Sequence, residues 1–305
     1  LYIGTVGLEF KDFAAEALDA ADLILAVGYD LVEYDPGLWN CECDKNIVHI
    51  DSNTTDVYKE YVPKLESIGN IKNIIDSTLN ETTFNKSFDS WHTDIKERVQ
   101  SSIDSFKPLT EDEEKTVPGI LHAVREILPK DSIILSDVGT HKMWIARNFP
   151  VYYPNTCVIS NGMSSMGIAL PGLIASNVVF PDKKVVSLMG DGGALMNFQE
   201  LETAARTGCA GVIIVFKDDN YGSIDWKQRM NEGKSFGTQF GNPDFVELAS
   251  SFGIEAHSPK DYAEFKSIFS QALSSNKLTL LEIEISNEPN TRLTEALDAY
   301  FSKSS

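Results

Sequence analysis

The sequence has few basic residues for its length. Its 305 residues include 26 Lys plus Arg against 45 Asp plus Glu, which gives a formal net charge of −19. Such a surface repels polyanions, so the balance argues against a nucleic acid or an anionic membrane as a partner. It does not exclude a phosphate ligand, because backbone N–H groups and a metal ion can hold one.

Cysteine and long apolar runs are also scarce. The four cysteines are scattered without a Cys-x-x-Cys pair, so neither a disulfide framework nor a cysteine metal site is predicted. A reducing cytoplasm is therefore the expected location. The longest apolar runs, such as Cys209–Phe216, are too short to cross a bilayer. Hydrophobic residues make up 42% and charged residues 23%, which excludes the disordered and fibrous classes.

A repeated order of helix, strand and loop predicts an α/β protein with two doubly wound parallel-sheet domains. In the N-terminal part of the sequence, the first block, a helical pattern over Phe10–Ala21 leads into the apolar runs Leu23–Val27 and Ile47–Ile50. This first domain is expected to be truncated, since the chain opens in the middle of the pattern.

The predicted boundary between the domains lies in an acidic, polar segment. Lys107–Lys115 contains a proline and four acids, which is typical of a linker. We therefore expect a first domain over residues 1–110 and a second over residues 111–305.

In the second block, polar loops directly follow predicted strands. The strands are predicted over Ser132–Ser136, Thr156–Ile159, Lys184–Met189, Gly211–Phe216 and Leu278–Ile285. The loops are Asp137–His141, Ser160–Ser165, Gly190–Gly193 and Asp218–Gly222. Carboxyl ends of parallel strands meet at one sheet edge, where open α/β sheets bind ligands. We expect one binding site there, with Gly190–Gly193 as a tight turn before a helix that begins near Asn197.

The strongest chemical signal is the segment Met189–Gly193 (MGDGG), followed 27 positions after Asp191 by a second acid, Asp218. Glycines on both sides of a short acid let the backbone approach a ligand closely. The helix that follows offers free N–H groups and a positive dipole end to phosphate oxygens. Two carboxylates, a backbone carbonyl and phosphate oxygens form the kind of oxygen-rich site that suits Mg²⁺.

Several segments together resemble one enzyme family. Gly190–Gly222 resembles the thiamine-diphosphate motif, and Ile159–Gly172 resembles the aminopyrimidine loop of acetolactate synthases. Asp137–Trp144 resembles a diphosphate-contacting loop of the same enzymes, and Phe240–Gly253 is typical of them. Val27–Asn40 resembles the catabolic acetolactate synthases. The chain thus resembles the C-terminal portion of a thiamine-diphosphate-dependent enzyme of that branch.

The resemblance implies roles for individual residues. Asp191 and Asp218 would ligate Mg²⁺ through their side chains, and Asn220 would do so through its backbone carbonyl. Met166 would support the bent cofactor, and the Ser164 carbonyl would accept a hydrogen bond from its 4′-amino group. The full set of implied cofactor contacts is Val138, Gly139, Thr140, His141, Ser164, Met166, Gly190, Asp191, Gly192, Gly193, Asp218, Asn220, Tyr221 and Gly222.

The implied reaction is the decarboxylation of pyruvate and its carboligation to a second pyruvate, which gives 2-acetolactate, in a homodimer or homotetramer. FAD is not expected, because the Arg-Phe-Asp-Asp-Arg motif of flavin-binding relatives is missing at Tyr29–Asp35. In this family the activating Glu lies in an N-terminal domain of the partner subunit. No segment here resembles that domain, so no catalytic residue is assigned and the chain alone is expected to be inactive.

Two alternatives stay open. Acetolactate synthases usually carry Met where Ser223 stands, so the chain could instead belong to another 2-oxo acid decarboxylase, carboligase or oxidase of the superfamily. It could also be a non-catalytic cofactor-binding fragment. A nucleotide in the first block is a further possibility, since Gly28 and Asp51 follow predicted strands, but no Gly-x-Gly-x-x-Gly motif precedes a helix.

Overall fold

The computed structural model describes residues 3–5, 15–32, 34–56, 58–81, 91–104, 107–108, 115–287 and 290. Within these residues the chain divides into two compact units, the first at residues 3–104 and the second at residues 107–290. The predicted boundary between residues 110 and 111 lies outside the described residues and stays a prediction. No helix among the described residues is long and apolar enough to cross a membrane.

The first unit contains a three-stranded parallel sheet in the order β1-β2-β3. Its elements are α1 (Ala15–Ala20), β1 (Ile24–Val27), α2 (Pro36–Trp39), β2 (Ile47–Asp51), β3 (Leu65–Ile68), α3 (Ile71–Glu81) and α4 (Trp91–Asp104). The two predicted strands are confirmed, and the predicted first helix is observed at Ala15–Ala20. Tyr29, Trp39 and Tyr61 pack with ring centroids 5.1 to 6.1 Å apart and form a small aromatic core.

The second unit contains a six-stranded sheet, entirely parallel, in the order β5-β4-β6-β7-β9-β8. Its first elements are α5 (Val117–Ile127), β4 (Ile133–Ser136), α6 (Thr140–Asn148), β5 (Cys157–Ile159), α7 (Ala169–Val179), β6 (Val185–Gly190) and α8 (Asp191–Asn197). They are followed by α9 (Glu200–Arg206), β7 (Gly211–Lys217), α10 (Gly222–Glu232), α11 (Phe245–Ser251), β8 (Glu255–His257), α12 (Tyr262–Ser274) and β9 (Leu278–Glu284).

Apolar layers cover both faces of this sheet. Ile134 and Ile214 belong to the core on one face, and their neighbours Ile133 and Ile213 belong to the core on the other. Strands that are buried on both faces read as continuous apolar runs, which is why the sequence predicts most of them. The second unit is therefore doubly wound, as expected.

The sequence-based prediction is wrong about the segment after β6. Gly190–Gly193 is not a separate tight turn, because α8 begins at Asp191 and places Gly192 and Gly193 in its first helical turn. Glycines have a low helix propensity, and glycines beside a short acid favour a turn on local grounds. Close packing around both glycines, described below, leaves no room for a side chain and outweighs that propensity.

The order of the strands defines where a ligand can enter. After β4 the chain places β5 on one side of it and β6 on the other, so the winding direction reverses between β4 and β6. In open α/β sheets, the crevice at the carboxyl ends of such strands is the usual binding site.

Candidate functional site

Three helices begin at the carboxyl edge of the six-stranded sheet. α6 begins at Thr140 after β4, α8 at Asp191 after β6, and α10 at Gly222 after β7. None of the three N-cap residues accepts a helix N–H through its side chain. The first N–H groups of a helix have no partner within the helix, and the helix dipole makes this end positive. Their convergence favours an anionic ligand such as a phosphate group.

The three helix ends surround a cavity of about 200 Å³. All fourteen residues that the resemblance implies as cofactor contacts line it, although they come from four separate segments of the chain. Ser223, Phe216, Ile224 and Ile285 complete the lining. Of these, Phe216, Ile224 and Ile285 were missed. For Phe216 and Ile285 the available signal was an apolar residue at or just after the end of a strand, and for Ile224 there was none.

Asp191 is buried at the centre of the site, with 1% of its surface exposed. Its Oδ1 accepts the backbone N–H of Gly192 at 2.7 Å. Its Oδ2 accepts the backbone N–H groups of Asp218 at 3.1 Å and Asp219 at 2.7 Å. Because each carboxylate oxygen has two lone pairs, Oδ1 keeps one for a cation.

Asp218 and Asn220 supply further oxygen atoms. Burial, with the Asp191 charge as a smaller cause, raises the pKa of Asp218 to about 6, against the opposing hydrogen bond from Asn287. The backbone carbonyl of Asn220 accepts the N–H of Gly222 at 2.9 Å and keeps one lone pair. The side-chain Oδ1 of Asn220 is buried and has no hydrogen-bond partner among the described residues.

This donor set fits a metal ion bound together with an anion. No group of three or more His, Cys, Asp or Glu that could hold a metal occurs among the described residues. A cation here would therefore rely on the two carboxylates, Asn220 and oxygen atoms of the ligand itself, which matches the chemistry of a Mg²⁺–diphosphate pair. In such a pair the anion would interact with the positive helix ends, and the cation would interact with the negative carboxylates.

His141 lines the cavity near the beginning of α6 as a neutral ring. Complete burial lowers its pKa to about 4, although the nearby charges of Asp137 and Asp191 oppose that effect. Its Nε2 is buried without a hydrogen-bond partner among the described residues. The ring is therefore available for a contact with a ligand, and it carries no charge at neutral pH.

Two glycines of the first turn of α8 permit the close packing around the cavity. A Cβ at Gly192 would lie 2.8 Å from Cε1 of Tyr221 and 3.4 Å from Cε of Met166. A Cβ at Gly193 would lie 2.8 Å from Oδ1 of Asp137. Any side chain at either position would push on groups that line or support the site.

The loop that carries Ser164 and Met166 is held by a residue that the sequence analysis missed. Asp137, fully buried after β4, accepts the backbone N–H groups of Gly167 at 2.9 Å and Ala169 at 3.1 Å, one at each carboxylate oxygen. Since a carboxylate can only accept, it satisfies two buried donors of the loop. The sequence signal that could have identified Asp137 is its position as an acid directly after a predicted strand.

Two asparagines hold the acids of the site and were likewise missed. Asn242 donates through Nδ2 to Oδ2 of Asp191 at 2.7 Å and to Oδ1 of Asp219 at 2.6 Å. Asn287 donates through Nδ2 to Oδ2 of Asp218. Asn242 lies in the segment Phe240–Gly253 that resembles acetolactate synthases, whereas no sequence signal pointed to Asn287.

Two family models match the chain. Residues 137–283 match the C-terminal TPP-binding domain of thiamine pyrophosphate enzymes, and residues 1–78 match the central domain of the same enzymes. The first match contains all of the loops that form the cavity.

Curated proteins similar to this chain include several that are described as acetolactate synthases. The acetolactate synthase of Bacillus subtilis (strain 168) is 32% identical over 96% of this chain and 52% of its own length. The catabolic acetolactate synthase of Raoultella terrigena is 31% identical over 83% of this chain and 45% of its own. A putative thiamine pyrophosphate-containing protein of B. subtilis, YdaP, is 24% identical over 94% and 50%. The chain spans about half the length of the curated relatives it matches.

Proposed function

Because the chain belongs to the thiamine pyrophosphate enzyme family, we propose that it is the Mg²⁺- and diphosphate-binding part of an acetolactate synthase. The protein that contains it would decarboxylate one pyruvate and join the product to a second pyruvate, giving 2-acetolactate. The observation that carries the proposal is the convergence of three uncapped helix N-termini and the carboxylates of Asp191 and Asp218 on one cavity.

In this proposal the residues of the cavity divide into two groups. Asp191, Asp218 and Asn220 hold the metal ion, while the N-terminal turns of α6, α8 and α10 direct N–H groups at the diphosphate. When bound, thiamine diphosphate supplies an electron sink for the decarboxylation and the carbon–carbon bond formation. The carboxylates alone would repel a diphosphate, so binding should depend strictly on the divalent cation.

A second group of residues orients the organic end of the cofactor. Met166 would support the bent cofactor, and the Ser164 carbonyl would accept a hydrogen bond from its amino group. Lys142 stabilises this loop, because its Nζ donates to the Ser160 carbonyl at 2.9 Å and to Oγ of Ser164 at 3.2 Å. His141 contributes a neutral contact on the diphosphate side.

The activating acid is proposed to come from outside Leu1–Ser305. No glutamate lines the cavity among the described residues, and both of its aspartates lie on the metal side. A second copy of the chain's full protein would bring that acid. Apolar side chains exposed beside the cavity support such an interface: Met163 is 93% exposed, and Ile168, Leu195 and Met196 are 41 to 46% exposed.

The alternative is another 2-oxo acid decarboxylase, carboligase or oxidase with the same cofactor. It is favoured by Ser223, which lines the cavity where acetolactate synthases usually carry Met, and by the likeness to a relative named only for its cofactor.

The four cysteines are all free, which supports a reducing compartment such as the cytoplasm.

One set of assays separates these functions. Calorimetric titration of the chain with thiamine diphosphate should show binding with Mg²⁺ present and none with a chelator. The full protein should convert pyruvate to acetolactate without added FAD, detected as acetoin after acid treatment, while Leu1–Ser305 alone should not. Strict FAD dependence, or an aldehyde as sole product, would favour the alternative, and absence of cofactor binding would contradict both.

A further inference from the structure

A chain of side-chain hydrogen bonds leads from the core of the second unit to Asp218. The indole Nε1 of Trp144 donates to Oδ1 of Asn290 at 2.8 Å, and Nδ2 of Asn290 donates to Oδ1 of Asn287 at 2.9 Å. Nδ2 of Asn287 then donates to Oδ2 of Asp218. Trp144 is completely buried and Asn290 is 8% exposed, so this chain is shielded from water at its inner end.

The direction of this chain is determined at both ends. An indole nitrogen can only donate, so Asn290 must present its oxygen to Trp144 and its amide N–H to Asn287. An ionised carboxylate can only accept, so Asn287 must present its N–H to Asp218. Both constraints require the same orientation of the two amides. The side chain of Asn287 is therefore held with its donor toward the acid.

The amide N–H of Asn287 limits the orientations of the Asp218 carboxylate, which suits a metal ligand. Oδ2 receives the Asn287 donor and Oδ1 receives the backbone N–H of Asn220 at 3.3 Å, so the carboxylate is held at both oxygens while each keeps a free lone pair. The network also joins the two sides of the cavity, because Trp144 lies in α6, whose first residues, Thr140 and His141, line the diphosphate side.

We propose that Asn287 is a positioning residue for the metal ligand Asp218, with its orientation set by Asn290 and Trp144. This inference rests on the proposed function, since it takes Asp218 as a ligand of Mg²⁺. Groups that hold a metal ligand without touching the metal typically change metal affinity 10- to 100-fold when they are removed.

Asn177 offers a matched control at the opposite edge of the sheet. It is also part-buried and makes two hydrogen bonds, from Nδ2 to the Leu173 carbonyl at 3.0 Å and from the Ala210 N–H to Oδ1 at 2.9 Å. Asn177→Ala therefore removes a comparable amide from the same unit, far from the metal ligands. A purely structural effect would appear in both variants.

The first test measures Mg²⁺ affinity of the chain by calorimetry at saturating thiamine diphosphate. We expect Asn287→Ala to weaken Mg²⁺ binding roughly 10- to 100-fold, and Asn177→Ala to leave it unchanged while lowering the melting temperature. Equal affinity in wild type and Asn287→Ala, or equal weakening in both variants, would overturn the inference. If the wild-type chain binds no Mg²⁺ with the cofactor, the proposed function falls and this inference falls with it.

A second test follows the indole N–H of Trp144, which does not line the cavity. Its resonance in a ¹H–¹⁵N spectrum is identified by its loss in Trp144→Phe, which keeps an aromatic ring in the core. We expect it to shift when Mg²⁺ and thiamine diphosphate are added to the wild type, and not to shift in Asn287→Ala at saturation. A shift of the same size in both proteins would show that Asn287 does not connect the indole to the metal ligand.

Discussion

Oδ2 of Asp191 accepts the backbone N–H of Asp218 at 3.1 Å, so the first acid of the site holds the loop that carries the second. The same oxygen accepts the N–H of Asp219, whose backbone lies in the left-handed region at φ 54°. An aspartate can adopt this conformation, but at a cost that the hydrogen bonds must offset. The two acids are therefore not equivalent: Asp191 accepts three backbone N–H groups, whereas Asp218 accepts one.

This inequality predicts different outcomes for two substitutions. Asp191→Ala and Asp218→Ala should each abolish Mg²⁺-dependent binding of thiamine diphosphate, since each removes an oxygen ligand. Asp191→Ala should also lower the melting temperature of the metal-free chain more than Asp218→Ala does, because it leaves more buried N–H groups without an acceptor. Calorimetry and thermal unfolding measure the two effects, with the exposed Asp182→Ala as control. Near-normal affinity in both variants would contradict the metal site.

Gly192→Ala should impair cofactor binding with little effect on stability. The new Cβ would lie 2.8 Å from the Tyr221 ring, which lines the cavity, so we expect the ring to move away in the free chain. Binding would have to restore the crowded packing, and overpacking of this kind costs about 1–3 kcal/mol, or about 5- to 150-fold in affinity. In the free chain, the helix propensity gained from alanine, about 1 kcal/mol, offsets much of the cost of moving the ring. Gly241→Ala adds a methyl group in open space and should bind normally. Equal affinity in the two variants would contradict the described packing.

Asp225 should stabilise the second unit in a pH-dependent way. The Arg229 guanidinium, which donates to it at 2.7 Å, is the main cause that lowers the pKa of Asp225 from 3.8 to about 2. The folded pKa lies below the unfolded one, so the contribution is complete above pH 3.8 and is lost as the pH falls through 2. Because Arg229 is largely exposed, we expect Asp225→Asn to cost about 1 kcal/mol at pH 7.

Urea unfolding at pH 7 and at lower pH tests this expectation. The difference between wild type and Asp225→Asn should narrow as the pH falls from 3.8 toward 2. The exposed pair Glu202–Arg206 has the same i, i+4 spacing, and Glu202→Gln should change the unfolding free energy very little. A difference for Asp225→Asn that is constant with pH would show that the charge of Asp225 does not carry the effect.

Cys157 should resist alkylation although its thiol is free. Burial raises its pKa to about 12, so at pH 8 roughly one molecule in 10⁴ carries the reactive thiolate. Cys41 and Cys43 are exposed and should react with iodoacetamide first, as followed by mass spectrometry, while all four cysteines react after denaturation. Labelling of Cys157 as fast as Cys41 in the folded chain would show that β5 leaves it accessible.

The sequence predicts seven of the nine described strands and does not predict β3 and β8. β4, β6, β7 and β9 carry continuous apolar runs because a helical layer covers each face of the sheet. The edge strand β8 has three residues, Glu255–His257, of which none is fully buried, and β3 has a glutamate and exposed leucine. Such strands form because they pair with a neighbouring strand, and this pairing does not require an apolar run in their own sequence.

By itself, the sequence determined the family resemblance, the α/β class and the ligand-facing side of the cavity. Asp191, Asp218 and the glycines line the cavity, and in the proposed function they meet the ligand directly, so their residue types and spacing would carry its chemistry. Only the tertiary structure decided which groups hold them in place. Asp137, Asn242 and Asn287 reach partners 30 to 69 positions away, through loops of ordinary polar composition. A single asparagine on a loop does not indicate its partner, because folding alone brings the two side chains within hydrogen-bond distance.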